Sequence, residues 1–208
     1  MRDSAEEHFG ILDAARSGSR EGGPSFSVGH RALRLVWGIV WALLAAWTPA
    51  PLHRWRAFLL RLFGARLARN ARVHGSARIW YPPHLVMEEN TLIGRGAIIY
   101  CIAPVRIGRG VVISQGAHLC TGSHDIDDAS FQLTARPITI GADAWVAAEA
   151  FVGPGVLIGE GAVLGARGVS FSDLAAWTVY AGNPARLIRA RHQPIAVVAV
   201  TQAAAAIA

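Results

Sequence analysis

His124 is the side chain best suited to moving a proton. It ends the run Leu119-Cys-Thr-Gly-Ser-His124, just before the polar stretch from Asp125 to Arg136 with Asp125, Asp127, Asp128 and Gln132. An imidazole titrates near neutrality, so it can take a proton from a hydroxyl and hand it on. Ser123, Asp125 and Asp127 beside it have the oxygens that would hold a polyol; a solvated acidic turn is the plainer alternative for the carboxylates. His118, one hexad earlier, is either a second metal ligand beside His124 or a surface residue. His74 and His84 read as surface corners. Trp145 stands just beyond the polar stretch, where it would pack on that stretch, on a ligand or in the core. Arg167, Arg186, Arg189 and Arg191 gather towards the end, and guanidinium groups suit phosphate. Their alternative is a solvated basic face.

The elements that must position these groups follow a period of six. From Ile138 to Arg186 an aliphatic or small residue recurs at Ile140, Val146, Val152, Ile158, Leu164, Ser170, Ala176 and Gly182, usually followed by a small one such as Gly141, Ala147 or Gly165. This is the pattern of a hexapeptide parallel β-helix: each hexad is a short strand and a corner, and three hexads close a coil. The same rhythm begins at Val73, Ile79 and Leu85, slips by two residues before Ile93 and Ile99, and slips again before Ile107, Ile113 and Leu119. Asp125 to Arg136 has no hexad and reads as a loop thrown out from a corner, where binding and chemistry concentrate. Leu187 to Arg191 reads as a short helix.

Composition narrows the function. The charged share is 16% and the apolar share 52%, ample for a core. The chain has no lysine, which excludes Schiff-base chemistry and lysine-dependent phosphate loops. A net charge of +6 reads either as a plain basic surface or as affinity for phosphates or anionic lipid. No arginine-rich helix or aromatic platform accompanies it, so nucleic acid is not expected. Cys101 and Cys120 lie in apolar repeat sequence and read as small packing residues in a reducing compartment rather than as a disulfide.

The expected organisation is a flexible polar arm over 1–30, a hydrophobic and basic helical segment over 31–70, a β-helix over 71–191 with the inserted loop 125–136, and an Ala/Val-rich tail over 192–208. The arm lacks the layout of a cleavable signal. Leu35 to Leu52 is uncharged, Trp-rich and flanked by Arg31, Arg34 and Arg54. It reads as a membrane-interface helix, a helix packed on the β-helix or on another subunit, or a short span. Arg54 to Leu67 has helical apolar spacing and a basic face.

Leu119-Cys-Thr-Gly-Ser-His-Asp125, Pro137-Ile-Thr-Ile-Gly141, Ala144-Trp-Val-Ala147 and Ala181-Gly-Asn-Pro-Ala-Arg186 together resemble the hexapeptide-repeat acyltransferases. With Trp55 to Gly64 and Ser114-Gln115, the chain looks like the colanic acid biosynthesis acetyltransferases among them. That resemblance implies a mainly β fold, a left-handed parallel β-helix. It also implies a homotrimer with acetyl-CoA between subunits and direct transfer to a sugar hydroxyl. It makes His124 the general base and lines the pantetheine channel with Ala147, Gly165 and Ala166. It offers Arg167 and Arg186 to the CoA phosphates and sets Trp145 beside the site. It needs no metal, and it sites a sugar or lipid-linked oligosaccharide acceptor at the inner face of the cytoplasmic membrane. Two departures stand out. Trp145-Val146-Ala147 replaces the broader family's Trp-Ile-Gly, and Tyr100 to Pro104 lacks the carboxylate many members carry there. The rival expectations are a metal-dependent lyase resembling γ-class carbonic anhydrases, with His118 and His124 as ligands, and a non-catalytic β-helix scaffold.

Overall fold

The computed structural model describes residues 13–193. Its body is a prism of short parallel strands. The first sheet stacks Arg66–Leu67, Leu85–Met87, Val105–Ile107, Ile138–Ile140 and Leu157–Ile158. The second stacks Arg72–Val73, Leu92–Ile93, Val112–Ile113, Trp145–Val146, Val163–Leu164 and Thr178–Ala181. The third stacks Arg78–Ile79, Ile98–Tyr100, His118–Cys120, Phe151–Val152 and Val169–Ser170. The chain visits them in that order, coil after coil, so each strand pairs with its equivalent one coil away.

The hexad positions make the core. Val73, Ile93, Ile113, Val146 and Leu164 form one buried column, and Ile79, Ile99, Leu119, Val152 and Ser170 another. The early coils are longer than three hexads, since Val73 pairs with Ile93 and Ile93 with Ile113, whereas Ile140 pairs with Ile158. The two-residue slips in the sequence are those longer coils. The last turn is shorter instead. Leu174 bridges to Ile158 and is 2% exposed, so the inward register moves by two and leaves Ala176 and Gly182 on the outside. The expected helix over Leu187 to Arg191 is a strand, Arg186–Ala190, antiparallel to Thr178–Ala181, because that edge still had free backbone groups to pair. Cys101 is buried and Cys120 half-buried, both as free thiols. Burial pushes the Cys101 thiol up to about 12.

Among the described residues three α-helices precede the prism: α1 (Ala14–Ser17), α2 (Val28–Leu44) and α3 (His53–Leu62). Helix α2 begins at Val28, not 31, because Ser27 caps it by accepting from the His30 amide. Trp37 and Trp41, one turn apart, both face the lowest coil. Their indole N–H groups donate to the carbonyls of Ile79 and of Gly75 and Ala77. A Cβ at Gly75 would stand 2.8 Å from the Ala45 and Ala46 carbonyls, so only glycine admits the end of α2 there. The apolar segment is thus a helix packed on the β-helix, and it still exposes Leu35, Ile39 and Leu43 along its outer side. Among the described residues no helix is long and apolar enough to cross a membrane.

Arg56 in α3 joins these parts. It is 1% exposed and among the described residues has no carboxylate partner. Its Nε donates to the Val73 carbonyl, and its terminal nitrogens donate to Thr48 Oγ1 and to the carbonyls of Pro49 and Ala50. One guanidinium therefore satisfies the α2–α3 connection and the first coil together. Arg56→Met should lower unfolding stability by about 3 kcal/mol or more, since several buried acceptors lose their donor at once. Arg56→Lys should recover only part of that, and chemical denaturation of the three proteins checks both.

Candidate active site

The stretch after His118–Cys120 is built as an antiparallel hairpin rather than an irregular loop. Gly122–His124 pairs with Leu133–Ala135, with Ser123 opposite Thr134 and His124 opposite Leu133. It stands at the corner between the third and first sheets. Asp125 and Asp128 spend carboxylate oxygens on the turn itself: Asp125 accepts from the Asp127 amide at 3.0 Å and Asp128 from the Ser130 amide at 2.6 Å. The Asp125 amide donates to the Gln132 carbonyl at 2.8 Å. Ser123, His124, Asp125 and Asp127 are all exposed along this hairpin.

His124 is oriented from across the hairpin. Its Nδ1 lies 2.9 Å from the Phe131 carbonyl, and its ring stacks on the Phe131 ring at 4.2 Å between centroids and 11° between planes. A carbonyl only accepts, so Nδ1 is the donor, and in the neutral form of the ring the lone pair is then on Nε2. Phe131 delivers that carbonyl from a left-handed backbone, φ 53°, uncommon for an aromatic residue. Sequence could not nominate Phe131, because the orienting atom is main chain. A second partner lies in the N-terminal arm. Asp13 caps α1, Gly18 ends it in the left-handed region, the Ala14 amide donates to Gln132 Oε1 at 2.7 Å, and Arg20 Nη1 donates to the Ala129 carbonyl at 2.6 Å. The cap and the glycine were readable signals, and residues 13–23 are a braced strap where a loose arm was expected. Residues 1–12 and 194–208 lie outside the described residues.

The other expected site residues are elsewhere. Trp145 is on the second sheet, 46% exposed, and its indole N–H donates to Ser114 Oγ at 2.8 Å. Ala147, Gly165, Ala166 and Arg167 occupy the corners that lead from the second sheet to the third. The amides of Ala147 and Gly165 are spent on the Leu164 and Tyr180 carbonyls within the coil ladder. Ala147 is 3% exposed, whereas Ala166 is exposed. Arg167 pairs with Glu149 one coil below at 2.6 Å, and both hold left-handed backbone, φ 57° and 58°. Arg186 is exposed on the last strand. The expected site residues therefore fall into two groups, the His124 hairpin at one end of the third sheet and the corner running from Trp145 to Arg167 at the other.

His118 lies between them on the third sheet. It packs edge-on against Phe151, burial pushes its pKa down, and its buried Nε2 has no hydrogen-bond partner. Among the described residues no three His, Cys, Asp or Glu side chains are grouped to hold a metal ion. His84 is half-buried rather than a free corner, with Nδ1 3.2 Å from the Cys101 carbonyl.

Residues 85–119 and 137–169 match a family model described as the hexapeptide repeat of succinyl-transferase. Over 164 residues the chain is 44% identical to WcaF of Escherichia coli (strain K12), named as a colanic acid biosynthesis acetyltransferase; the match takes in 78% of this chain and 90% of WcaF. The chain belongs to the hexapeptide-repeat acetyltransferases. Its fold agrees with that of a maltose O-acetyltransferase from Clostridium difficile 630, with TM-score 0.71 and 24% identity over 80% of this chain and 90% of that one. It agrees equally with a hexapeptide-repeat-containing acetyltransferase of Vibrio cholerae O1 biovar eltor solved with acetyl coenzyme A, with TM-score 0.72 and 24% identity over 88% of this chain and all of that one, 100%. This acetyltransferase keeps its inserted hairpin between the two segments that the family model matches.

The strap's grip on the hairpin is measurable. Arg20→Ala should speed amide exchange at Asp125 and Phe131 by about tenfold, through loss of one charge-assisted bond, with little change in global stability. Hydrogen–deuterium exchange reads the first and a thermal melt the second.

Proposed function

We propose that this acetyltransferase carries an acetyl group from acetyl-CoA to a hydroxyl of a sugar in an exopolysaccharide precursor, with His124 as general base and no acyl-enzyme. The observation that carries this is the state of the His124 ring: Nδ1 committed to the Phe131 carbonyl, Nε2 left open on an exposed hairpin. The acceptor hydroxyl gives its proton to Nε2 as its oxygen bonds the thioester carbonyl carbon. Collapse of the tetrahedral intermediate expels the CoA sulfur, which takes that proton. The names of WcaF and of the maltose enzyme support a sugar acceptor, and the V. cholerae complex supports acetyl-CoA as donor. Ser123, Asp125 and Asp127 offer oxygens to the sugar. Trp145 and the corner at Ala147, Gly165 and Ala166 face the pantetheine, with Arg167 and Arg186 towards the phosphates.

These two groups read as half-sites, which is the ground for a homotrimer. In a single chain the third sheet separates the His124 hairpin from the corner that follows Trp145 on the second sheet, so one subunit's hairpin meets the next subunit's corner to complete a site. The outer side of the third sheet suits such a contact: Ile98, Tyr100, Phe151 and Phe171 line it, Phe171 being 67% exposed, and His118 sits among them. Two further features favour attachment to the inner face of a membrane. Leu35, Ile39 and Leu43 on α2 and Trp55, Phe58 and Leu62 on α3 are exposed together, with the Trp55 indole N–H tied to the Leu44 carbonyl. Trp47 lies beside them, 73% exposed, and Arg31 and Arg54 are exposed at the margin. An apolar face with tryptophans and a cationic rim fits anionic lipid.

His124→Ala should lower transfer by about 10²–10⁴-fold and leave acetyl-CoA affinity within a few-fold by calorimetry. Turnover retained in that variant defeats the general-base assignment. Leu43→Glu with Trp47→Ser should abolish sedimentation with vesicles containing phosphatidylglycerol while the mass in solution stays that of a trimer. A monomeric wild type, or unchanged sedimentation, overturns the corresponding part.

A further inference from the structure

A cavity of about 540 Å³ opens on the corner between the second and third sheets in the lowest coils, lined by His74, Ser76, Arg78, Arg95, Gly96 and Ile98. Its lining holds two guanidinium groups and an imidazole and no carboxylate. Among the described residues neither Arg78 nor Arg95 forms an ion pair. Arg56 donates to the carbonyl of Val73, the residue before His74, and among the described residues its hydrogen-bond partners are neutral carbonyls and a hydroxyl, so it adds buried positive charge close to His74. Its effect is visible on His74, whose pKa is pushed down by burial, then by Arg95, then by Arg56. Positive charge gathered against a low-dielectric wall draws anions. The floor is fixed: His74 Nδ1 meets Ser76 Oγ at 3.0 Å, and the Gly96 amide donates to the same oxygen at 3.0 Å.

Position identifies the anion. The corner that carries Arg95 and Gly96 carries Ser114 one coil above, and Ser114 holds Trp145. Stacked strands are about 4.8 Å apart, and the cations lie two to three such steps below the Trp145 level. On the other side Gly75 abuts Ala45 and Ala46, where α2 ends and its exposed apolar side begins. The order along the molecule is therefore apolar helices, cationic cavity, acyl-transfer corner.

We propose that the His74–Arg78–Arg95 cavity binds the diphosphate of an acceptor in which the sugar is joined through that diphosphate to its carrier. The identity of the acceptor rests on the sugar-acetyltransferase reading; the phosphate site itself does not. Arg78 and Arg95 clasp the phosphate oxygens, each guanidinium fork offering paired N–H donors to two of them, and hold the sugar towards Trp145.

The test is calorimetry of inorganic pyrophosphate with the full-length protein and with the double variant Arg78→Ala, Arg95→Ala, both saturated with acetyl-CoA to block the donor's own phosphate site. The double variant should bind pyrophosphate about tenfold more weakly or worse, the loss expected for charge-assisted bonds, with an unchanged melt and unchanged acetyl-CoA affinity. Equal pyrophosphate binding by the two proteins, or none by the wild type, overturns the site. Loss of acetyl-CoA binding in the wild type counts instead against the transferase reading. Uridine diphosphate and farnesyl diphosphate separate the carriers: tighter binding of the first assigns a nucleotide, and tighter binding of the second, weakened by Leu43→Glu, assigns a lipid.

Discussion

Between its two end coils, the inward side chains of the prism rest on their equivalents one coil above and below, and that stacking governs everything else. Val73, Ile93, Ile113, Val146 and Leu164 stay in one buried column only if each coil returns the chain to the same phase. Extra residues must leave at a corner. The hairpin between Cys120 and Ile138 is such an expulsion, and the columns on either side continue undisturbed. The scaffold thereby holds His124 clear of the prism, while the hairpin's own pairing and the Phe131 carbonyl fix its ring. Rigidity and access would otherwise conflict in a fold whose strands are two or three residues long.

The stacking also creates an end. The lowest coil has no neighbour below, and α2 and α3 cover it with Trp37, Trp41, Leu59 and Leu60. An indole suits this place because its ring buries apolar area while its N–H satisfies a carbonyl that has lost its ladder partner. Arg56 extends the same logic with several donors on one planar group. Its charge is left over from that hydrogen-bonding role, and it adds to the field at His74.

How much of this was legible follows from which atoms carry the information. Inward positions announce themselves by side-chain type, so the hexads from Val73 to Ser170 could be read directly, as could His124 at the break. The register change at Leu174 could not, since Ala176 and Gly182 are as small as a corner requires and only the backbone length decides. The partner that orients His124 was hidden for a related reason: Phe131 acts through its carbonyl. The strap over the hairpin was half visible, in Asp13 and Gly18 as helix boundaries, but its target at Ala129 lies far away in sequence. The separation of His124 from Trp145 was invisible, because a repeat read along the chain does not say which side of a triangle each hexad occupies.

The upper rim is closed as well. Leu174 lies on Ile158, the Val169 amide and carbonyl are taken by Gly182 and Ala185, and Arg186–Ala190 runs back along Thr178–Ala181. A parallel solenoid with bare rims is a template on which another copy can continue the ladder without limit. With helices at one end and a reversed strand carrying Arg186 and Arg189 at the other, growth along the axis is blocked. Among the described residues this leaves the flanks of the prism, rather than its ends, as the surfaces open to another molecule.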